Sequence, residues 1–205
     1  MTADFTREGQ LIADGYAAIA GIDEVGRGPW AGPVVVAGVI LDAKNIPSGL
    51  TDSKRISASR RQELAALIHQ TAQVSIVEIS VAEVDRLNIL GATFAGMRRV
   101  TTALAPDFAL IDGNKVPPEF PTQAEAIIKG DAKSASIAAA SIVAKVHRDA
   151  LMANLAEAFP GYGWETNAGY GTNAHKNALQ NLGVTPHHRR SFKPIHNMLC
   201  GKKCG

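Results

Sequence analysis

The stretch AAIAGIDEVGRGPWAGPVVVAGVIL, residues 17–41, contains two apolar runs separated by a loop rich in glycine and proline. Residues 17–22 read as a strand that ends in the acids Asp23 and Glu24. The β-branched run at residues 33–41 predicts a second strand, buried on both faces. The link between the two runs has too many glycines and prolines for a regular element. This opening predicts a buried sheet with acidic side chains at one edge.

Strands and helices alternate after this opening. The further predicted elements are a helix at 57–71, a strand at 74–79, helices at 80–87 and 89–104, strands at 108–111 and 124–128, and helices at 134–159 and 172–182. This order predicts an α/β fold with a mixed central β-sheet flanked by helices. Because the last third is nearly all helix, we expect residues 1–160 to form the core. Residues 161–205 would form a small C-terminal helical appendage, either separate or part of a single domain, with an irregular basic tail.

The composition narrows the class of protein. The 205 residues include 46% hydrophobic and 20% charged residues, which is typical of a globular domain. The formal net charge is only +2, so a surface for nucleic acid requires local clusters of basic residues. Both cysteines, Cys200 and Cys204, lie near the C-terminus, so none can cross-link the core. The lack of a cysteine cross-link suits a reducing cytoplasm, where we expect the protein to lie. No apolar run reaches the roughly 18 residues that a membrane span needs, so we expect no membrane partner. The sequence does not determine the oligomeric state, for which a monomer is the default expectation.

Carboxylates follow three of the predicted strands. Asp23 and Glu24 end the first strand, and Asp112 and Asp131 follow two later ones. Because strand ends at one edge of a sheet meet in space, we expect these acids to converge. Their repulsion would raise their pKa values unless a cation neutralises them, and oxygen ligands of this kind select Mg²⁺ or Mn²⁺ rather than zinc. Two such ions can activate water for cleavage of a phosphodiester.

Each acid also has a purely structural explanation. Asp112 with Gly113 is an ordinary turn dipeptide, and Asp131 could cap the long helix that follows it. Asp23 and Glu24 could be solvated residues at the end of a strand. The spacing of the acids alone therefore leaves metal binding and local structure as open alternatives.

Six blocks of the sequence, in the same order, resemble ribonuclease HII. They are GIDEVGRGPWAGPVVVAG (21–38), TDSKRIS (51–57), IDG (111–113), KGDAKSASIAAASIVAKVHRD (129–149), GYGT (169–172) and HHRRSF (187–192). The resemblance implies an RNase H-like fold and cleavage of the RNA strand of RNA–DNA hybrids. It also implies cutting on the 5′ side of single ribonucleotides embedded in duplex DNA, with Mg²⁺ or Mn²⁺, leaving 3′-hydroxyl and 5′-phosphate ends.

The resemblance also implies roles for particular residues. The catalytic and metal-binding acids of the family match Asp23, Glu24, Asp112 and Asp131. The loop that contacts the 2′-hydroxyl of the ribonucleotide matches Gly26, Arg27 and Gly28, and the tyrosine that senses the junction matches Tyr170. The sequence departs from the family where many members have His-Lys before this tyrosine's Gly-Tyr pair, since it has Asn167 and Ala168 there. The change removes a positive charge, so binding of the substrate is expected to be weaker or to depend on other residues.

Several polar residues are further candidates for contacts with phosphate. Ser53 and Lys54 could bind it, although Asp52 could equally pair with Lys54. Lys133 and Ser134 begin the long helix, whose amides could bind an anion.

The densest basic patch is His187-His188-Arg189-Arg190, with Lys193 beyond it. The patch either neutralises phosphates, mainly through Arg189 and Arg190, or is a solvated tail. Cys200 and Cys204 with His196 lack a fourth ligand for a metal, which favours a disordered tail.

Two other functions remain to be distinguished. One is a nuclease of the same fold that acts on DNA junctions or only on long hybrids, which would not need a loop and a tyrosine for sensing ribose. The other is a non-catalytic module that binds nucleotides or nucleic acid through the glycine loop, which would not need Asp112 or Asp131.

Overall fold

The structure is a computed structural model that describes residues 3–201. Its strands are β1 (Ile19–Val25), β2 (Val34–Leu41), β3 (Ala72–Ile79), β4 (Phe108–Asp112) and β5 (Gln123–Ile127). Its α-helices are α1 (Thr6–Ala13), α2 (Ala58–Thr71), α3 (Val81–Leu104), α4 (Ala135–Ala158), α5 (Trp164–Asn167), α6 (Asn173–Leu182) and α7 (Lys193–Gly201). Two short 3₁₀-helices cover Ser53–Arg55 and Gly130–Ala132.

The strands form one mixed sheet in the order β3-β2-β1-β4-β5. β1 is antiparallel to β2 and parallel to β4, and β4 is parallel to β5. All eight residues of β2 are buried, as its unbroken apolar run predicts. This sheet and the helices around it confirm the predicted fold class.

Local capping explains where two of the predicted helices begin. The Ser57 hydroxyl accepts a hydrogen bond from the Arg60 amide at 3.2 Å at the start of α2. Before α3, the Ser80 hydroxyl accepts from the Glu83 amide while the Glu83 carboxylate accepts from the Ser80 amide, which is a capping box. The φ of +57° at Asn88 interrupts α3, which explains why the sequence predicts two helices in this region.

Strand β1 is longer than predicted. It continues through both acids to Val25, because Glu24 pairs with Val36 and Val25 pairs with Val35 on the antiparallel neighbour. Asp23 and Glu24 therefore lie within the last paired residues of the strand rather than beyond its end.

Three helices were not predicted, namely α1, α5 and α7. Helix α1 buries only Glu8 and Leu11. Helix α7 shows that the prediction of an irregular tail is wrong from Lys193 onward, where the buried Ile195 secures the helix. Short helices with few buried positions carry a weak periodic signal in the sequence.

The chain groups into two compact units. Unit 1 extends up to Val25 and includes Val35–Val77 and Phe94–Val146, and unit 2 consists of Gly26–Val34, Glu78–Thr93 and the chain from His147 onward. One core cluster of unit 1 contains Leu11, Ile19, Phe108, Leu110 and Ile137. The core of unit 2 contains Ala31, Met152, Tyr162, Trp164, Ala178, Leu179 and Ile195. Among residues 3–201, no helix has both the length and the apolar character required to cross a membrane.

Candidate active site

Three carboxylates of unit 1 belong to neighbouring strands. Ile22 of β1 pairs with Ile111 of the parallel β4, so Asp23 and Asp112 are the next residues on adjacent strands. Glu24 follows Asp23 in β1. The register of β1 on β4 therefore brings Asp23 and Asp112 together at one edge of the sheet, as predicted for these two strands.

Main-chain amides orient two of these acids. The Gly130 amide donates to Oδ1 of Asp112 at 2.7 Å, so the loop after β5 holds the carboxylate at the end of β4. The Glu24 amide donates to Oδ1 of Asp23 at 2.7 Å. Asp131, one residue beyond Gly130, lies in the short 3₁₀-helix before α4.

The acids influence one another electrostatically. Asp23 is only 6% exposed, and its burial, followed by repulsion from Glu24 and Asp112, raises its pKa well above the ordinary value. Burial, followed by repulsion from Asp112 and Asp52, also raises the pKa of Asp131, which the positive charge of Lys54 partly counteracts. Asp112 thus acts on both Asp23 and Asp131, which makes it the electrostatic centre of the group.

This group of side chains fits a divalent cation. Its donors are carboxylate oxygens, and the raised pKa values of Asp23 and Asp131 show that positive charge would be favourable there. Within residues 3–201, no three or more His, Cys, Asp or Glu side chains are already close enough together to form a metal site. Carboxylate donors suit Mg²⁺, which completes its coordination with water and phosphate.

The start of α4 differs from the prediction. The Ser134 hydroxyl accepts from the Ile137 amide at 3.2 Å, so Ser134, rather than Asp131, caps this helix. The Ser134 hydroxyl also donates to Oε1 of the buried Glu8 at 2.6 Å, and the Ser136 amide donates to the same atom at 2.9 Å.

The Ala135 amide donates to the carbonyl of Asp4 at 2.8 Å, so the first amides of α4 are occupied within the protein. The prediction that phosphate docks on this helix start through Ser134 is therefore wrong. Lys133 itself is exposed.

The segment with Asp52 is partly buried. The Ser53 hydroxyl is buried and accepts a hydrogen bond from the Ser141 hydroxyl at 3.0 Å. The Lys54 amide donates to Oδ1 of Asp52 at 2.9 Å, so the predicted local pairing of these two residues occurs through the main chain. The side chain of Lys54 is exposed and acts on the charge of Asp131.

The glycine loop belongs to unit 2. Gly26 has a φ of +92°, a conformation that glycine adopts easily and other residues rarely adopt. Gly28 lies beneath Tyr170, since a Cβ atom added to Gly28 would be 3.2 Å from Cε1 of the tyrosine. The tyrosine ring is 50% exposed, and Arg27 and Gly28 are exposed as well. The structure therefore brings together two motifs that are about 140 residues apart in the sequence.

Asn167 shapes the segment that carries Tyr170. Its Oδ1 atom accepts from the Gly169 amide at 2.8 Å, its carbonyl accepts from the Tyr170 amide at 2.9 Å, and its Nδ2 atom donates to the Tyr162 carbonyl at 2.8 Å. The departure from His-Lys therefore removes the lysine charge at Ala168 and places at Asn167 a residue that closes a turn. The ability of Asn to form an Asx-turn is the sequence signal for this role.

A chain of buried side chains leads to Tyr170. The Thr185 amide donates to Nδ1 of His188 at 3.0 Å, so the neutral ring of His188 has its proton on Nε2. That atom is 3.0 Å from Nε2 of His175, which also accepts from Nε1 of Trp164 at 3.2 Å. His175 therefore has its proton on Nδ1, from which it donates to the Tyr170 carbonyl at 3.0 Å. No motif of the sequence predicts this role for His175.

The buried imidazole of His188 predicts a pH dependence of stability. Burial, followed by the charge of His175, lowers the pKa of His188 from 6.5 to about 4. The unfolded chain binds a proton below pH 6.5 that the folded protein does not accept until about pH 4. We therefore expect the free energy of unfolding to fall by about 2 kcal/mol as the pH falls through this window. Urea unfolding at a series of pH values should show that the free energy of unfolding depends less on pH in His188→Gln than in the unsubstituted protein. Equal pH dependence in the two proteins would contradict the assignment to His188.

The basic patch is only partly at the surface. His188 and Arg189 are fully buried, so the interpretation as a wholly solvated tail is wrong for both. Arg189 donates to main-chain carbonyls, among them that of Gly26, so the prediction that it contacts phosphate is also wrong. Arg190 and Lys193 are exposed.

The Arg190 segment is held at its main chain. The Arg190 amide donates to Asp85 at 3.0 Å, and the Ser191 amide donates to the same carboxylate at 2.9 Å. At the tail, Sγ of Cys200 is 3.5 Å from Nε2 of His196, and Cys204 lies outside the described residues.

Comparison with known proteins identifies the family. The sequence model of ribonuclease HII matches residues 20–195. A ribonuclease HII from Ruegeria pomeroyi is 60% identical over 198 residues, which cover 96% of this chain and 85% of that protein. The chain belongs to the ribonuclease HII family. It is therefore a nuclease with ribonuclease H activity on RNA–DNA hybrids.

Solved structures agree with this assignment. The ribonuclease HII of the PCNA:RNase HII complex from Archaeoglobus fulgidus matches with a TM-score of 0.76 at 29% identity, over 86% of this chain and 96% of that one. Bst ribonuclease HIII, solved in complex with Mn²⁺, shares the fold with a TM-score of 0.70 at 21% identity, over 92% of this chain and 71% of that one. The resemblance to ribonuclease HII found in the sequence and the RNase H-like fold are confirmed.

Proposed function

We propose that this ribonuclease HII cuts on the 5′ side of single ribonucleotides in duplex DNA, as well as within the RNA strand of longer hybrids. The products would carry 3′-hydroxyl and 5′-phosphate ends. The observation that supports hydrolysis is the pair Asp23 and Asp112 on adjacent parallel strands, with a pKa of Asp23 raised by burial and by the charge of its neighbours. A cation bound between such carboxylates would relieve their mutual repulsion.

Four carboxylates would hold the metal ions in this proposal: Asp23, Glu24, Asp112 and Asp131. When bound, Mg²⁺ or Mn²⁺ would lower the pKa of the attacking water and stabilise the charge that develops on the phosphodiester. The Gly130 amide keeps Asp112 oriented, and the partly buried Asp131 lies beside that glycine. Lys54, whose charge acts on Asp131, would be close enough to balance part of the negative charge of a phosphate.

Recognition of ribose is assigned to the glycine loop with Tyr170. The 2′-hydroxyl is the group that distinguishes RNA from DNA, and it can both donate and accept a hydrogen bond. The main chain of Gly26, Arg27 and Gly28 would bind it, and the exposed ring of Tyr170 above Gly28 would cover the adjoining sugar. A site built for a hydroxyl penalises pure DNA because its polar groups then lack a partner. We also propose that residues 161–205, the predicted C-terminal appendage, form a substrate-binding extension of the core at 1–160.

The test of this function is cleavage of three duplexes with and without a chelator. One duplex carries a single ribonucleotide, one is a continuous RNA–DNA hybrid, and one is all DNA. We expect cutting of the first two, no cutting of the third, and loss of all activity in EDTA. Product mapping should place the cut on the 5′ side of the ribonucleotide, and a cut elsewhere would contradict the proposal.

Arg190 and Lys193 are the exposed basic residues proposed to bind phosphates. Replacing both with Gln should flatten the plot of log affinity against log salt by about 0.9 for each phosphate that is no longer neutralised. The measurement is binding of a catalytically inactive variant to a hybrid at several salt concentrations. The matched control, Lys44→Gln with Arg60→Gln, removes two exposed positive charges elsewhere and should leave the slope unchanged. An unchanged slope for the variant at Arg190 and Lys193 would show that these residues are solvated and do not bind phosphate.

A further inference from the structure

Two buried arginines lie in unit 2. Arg148 is 1% exposed and Arg189 is 0% exposed. Their guanidinium groups donate to main-chain carbonyls of the segments that carry the glycine loop and Tyr170. A buried cation is an expensive way to stabilise a loop, because a charge loses its hydration on burial. A buried guanidinium does, however, fix the geometry of the carbonyls around it, because its planar group presents five donors in set directions.

Arg189 holds the start of the glycine loop and the chain that follows it at Gly32. Its Nη2 atom donates to the Gly26 carbonyl at 2.5 Å, and its Nη1 atom donates to the Arg27 carbonyl at 2.9 Å. Nε and Nη2 also donate to the Gly32 carbonyl, at 3.0 Å and 2.9 Å. With these carbonyls turned inward, the shape of the loop is set by the guanidinium group.

Arg148 joins this loop to the segment that carries Tyr170. Its Nη1 atom donates to the Ala168 carbonyl at 3.1 Å, and its Nη2 and Nε atoms donate to the Ala31 and Pro33 carbonyls at 3.3 Å and 3.1 Å. The Trp30 amide adds a direct bond to the Gly169 carbonyl at 2.8 Å. The glycine loop and Tyr170 are therefore parts of one hydrogen-bonded assembly.

Both arginines remain charged at neutral pH. Burial, followed by repulsion from Arg148, lowers the pKa of Arg189 to about 9, and burial also lowers the pKa of Arg148. A neutral substitute would leave several buried carbonyls without their donors, and each such loss is costly.

We propose that Arg148 and Arg189 are positioning residues for the recognition of a single ribonucleotide. Arg189 sets the shape of the Gly26–Gly28 loop, and Arg148 sets the place of Tyr170 relative to it. This inference rests on the proposed function, in which the loop and the tyrosine read the ribose.

The two substrates respond differently to a loosened loop. On a continuous hybrid, every position of the RNA strand offers a 2′-hydroxyl, so the duplex can react in many registers. On a duplex with one ribonucleotide, only one register is productive, and the loop and the tyrosine must select it. Displacement of the glycine loop or of Tyr170 should therefore lower cleavage of the single-ribonucleotide duplex most. A smaller fraction of folded enzyme would instead lower both activities equally.

The test uses Arg189→Lys and Arg148→Lys in the full chain. Lysine keeps the charge but cannot reproduce the planar fork of donors. We expect kcat on the single-ribonucleotide duplex to fall by about 10- to 100-fold, since displacement of a substrate by about 1 Å can cost that much. The rate on the continuous hybrid should fall several-fold less, and KM should change little. In a double-mutant cycle, Tyr170→Ala combined with Arg148→Lys should cost less than the product of the two separate effects.

Arg98→Lys is the matched control, since Arg98 also donates to a carbonyl, that of Pro118, but from an exposed position in unit 1. It should leave the ratio of the two activities unchanged. Folded lysine variants whose ratio equals that of the unsubstituted enzyme would overturn this inference alone. Failure of the unsubstituted enzyme to cut the single-ribonucleotide duplex would overturn the proposed function and, with it, the inference.

Hydrogen exchange of the unsubstituted protein gives a second measurement that does not depend on the folding of any variant. The amides of Trp30, Gly169 and Tyr170 are hydrogen-bonded within the assembly. They should exchange about as slowly as the amides of α6. Exchange at the rate of an unprotected loop would overturn the inference.

Discussion

Asp112→Asn is expected to lower turnover by at least about 10³-fold while the protein stays folded. Asparagine keeps the shape of the side chain, and its Oδ1 atom can still accept the hydrogen bond from the Gly130 amide. The substitution removes a negative charge from the centre of the acid group, where Asp112 acts on both Asp23 and Asp131. Initial rates on a continuous hybrid in Mg²⁺ and in Mn²⁺ provide the measurement.

The same substitution should raise stability in the absence of metal. Repulsion from Asp112 is one cause of the raised pKa values of Asp23 and Asp131, so its removal relieves strain between like charges. We expect urea unfolding in EDTA to show a gain of up to about 1 kcal/mol.

Asp42→Asn is a matched control, because Asp42 is exposed and also accepts a hydrogen bond from one main-chain amide, that of Lys44. It should leave turnover unchanged. Full activity of Asp112→Asn in Mg²⁺ would refute the assignment of the catalytic acids.

Tyr170→Ala is expected to reduce kcat/KM on the single-ribonucleotide duplex by about 10- to 100-fold, the typical effect of removing one aromatic ring that stacks on nucleic acid. The ring is half exposed above Gly28, so it has room to cover a sugar. Binding of metal should change little, because Asp23, Glu24, Asp112 and Asp131 belong to unit 1 and are untouched by the substitution. Tyr170→Phe should be milder if stacking matters more than the hydroxyl.

Steady-state kinetics on the single-ribonucleotide duplex and the continuous hybrid separate these effects. Tyr16→Phe serves as the control for removal of a hydroxyl, since that hydroxyl donates to Gln123 in unit 1. It should leave both rates unchanged. Efficient cutting of the continuous hybrid with none at the single ribonucleotide would favour a nuclease for long hybrids and reject the sensing of a junction.

The different burial of neighbouring side chains explains why we expect the residues of the HHRRSF motif (187–192) to have different roles. Arg189 and Arg190 are neighbours in the sequence, yet Arg189 is buried against the carbonyls of the glycine loop while Arg190 is exposed. Substitutions at the two positions should accordingly differ in kind. Arg189 is expected to change selectivity between substrates, and Arg190 is expected to change the dependence of binding on salt.

Much of the fold could be predicted from the sequence, because its signals are local. The unbroken apolar run of β2, the serine cap of α2 and the capping box before α3 depend on residues within a few positions of one another. The ordered motifs were also sufficient to identify the family and to nominate the four acids. Helices α1, α5 and α7 were missed because they bury too few residues to produce a periodic pattern.

Which groups meet depends on how distant segments of the chain pack together. The register of β1 on β4 places Asp23 beside Asp112, and register depends on strand pairing across the chain rather than on either segment alone. Arg148 lies at helical spacing after Ser141 and Ala144 on a buried face, a signal that could have predicted its burial but not its partners. A charged side chain can be buried only where its donors meet acceptors. Arg148 donates to the Pro33 carbonyl, 115 residues away in the chain, and Arg189 donates to the Gly26 carbonyl, 163 residues away. Local sequence signals therefore predict most of the elements and indicate the candidate acids, whereas the packing of distant carbonyls around two cations fixes the loop that we propose reads the ribose.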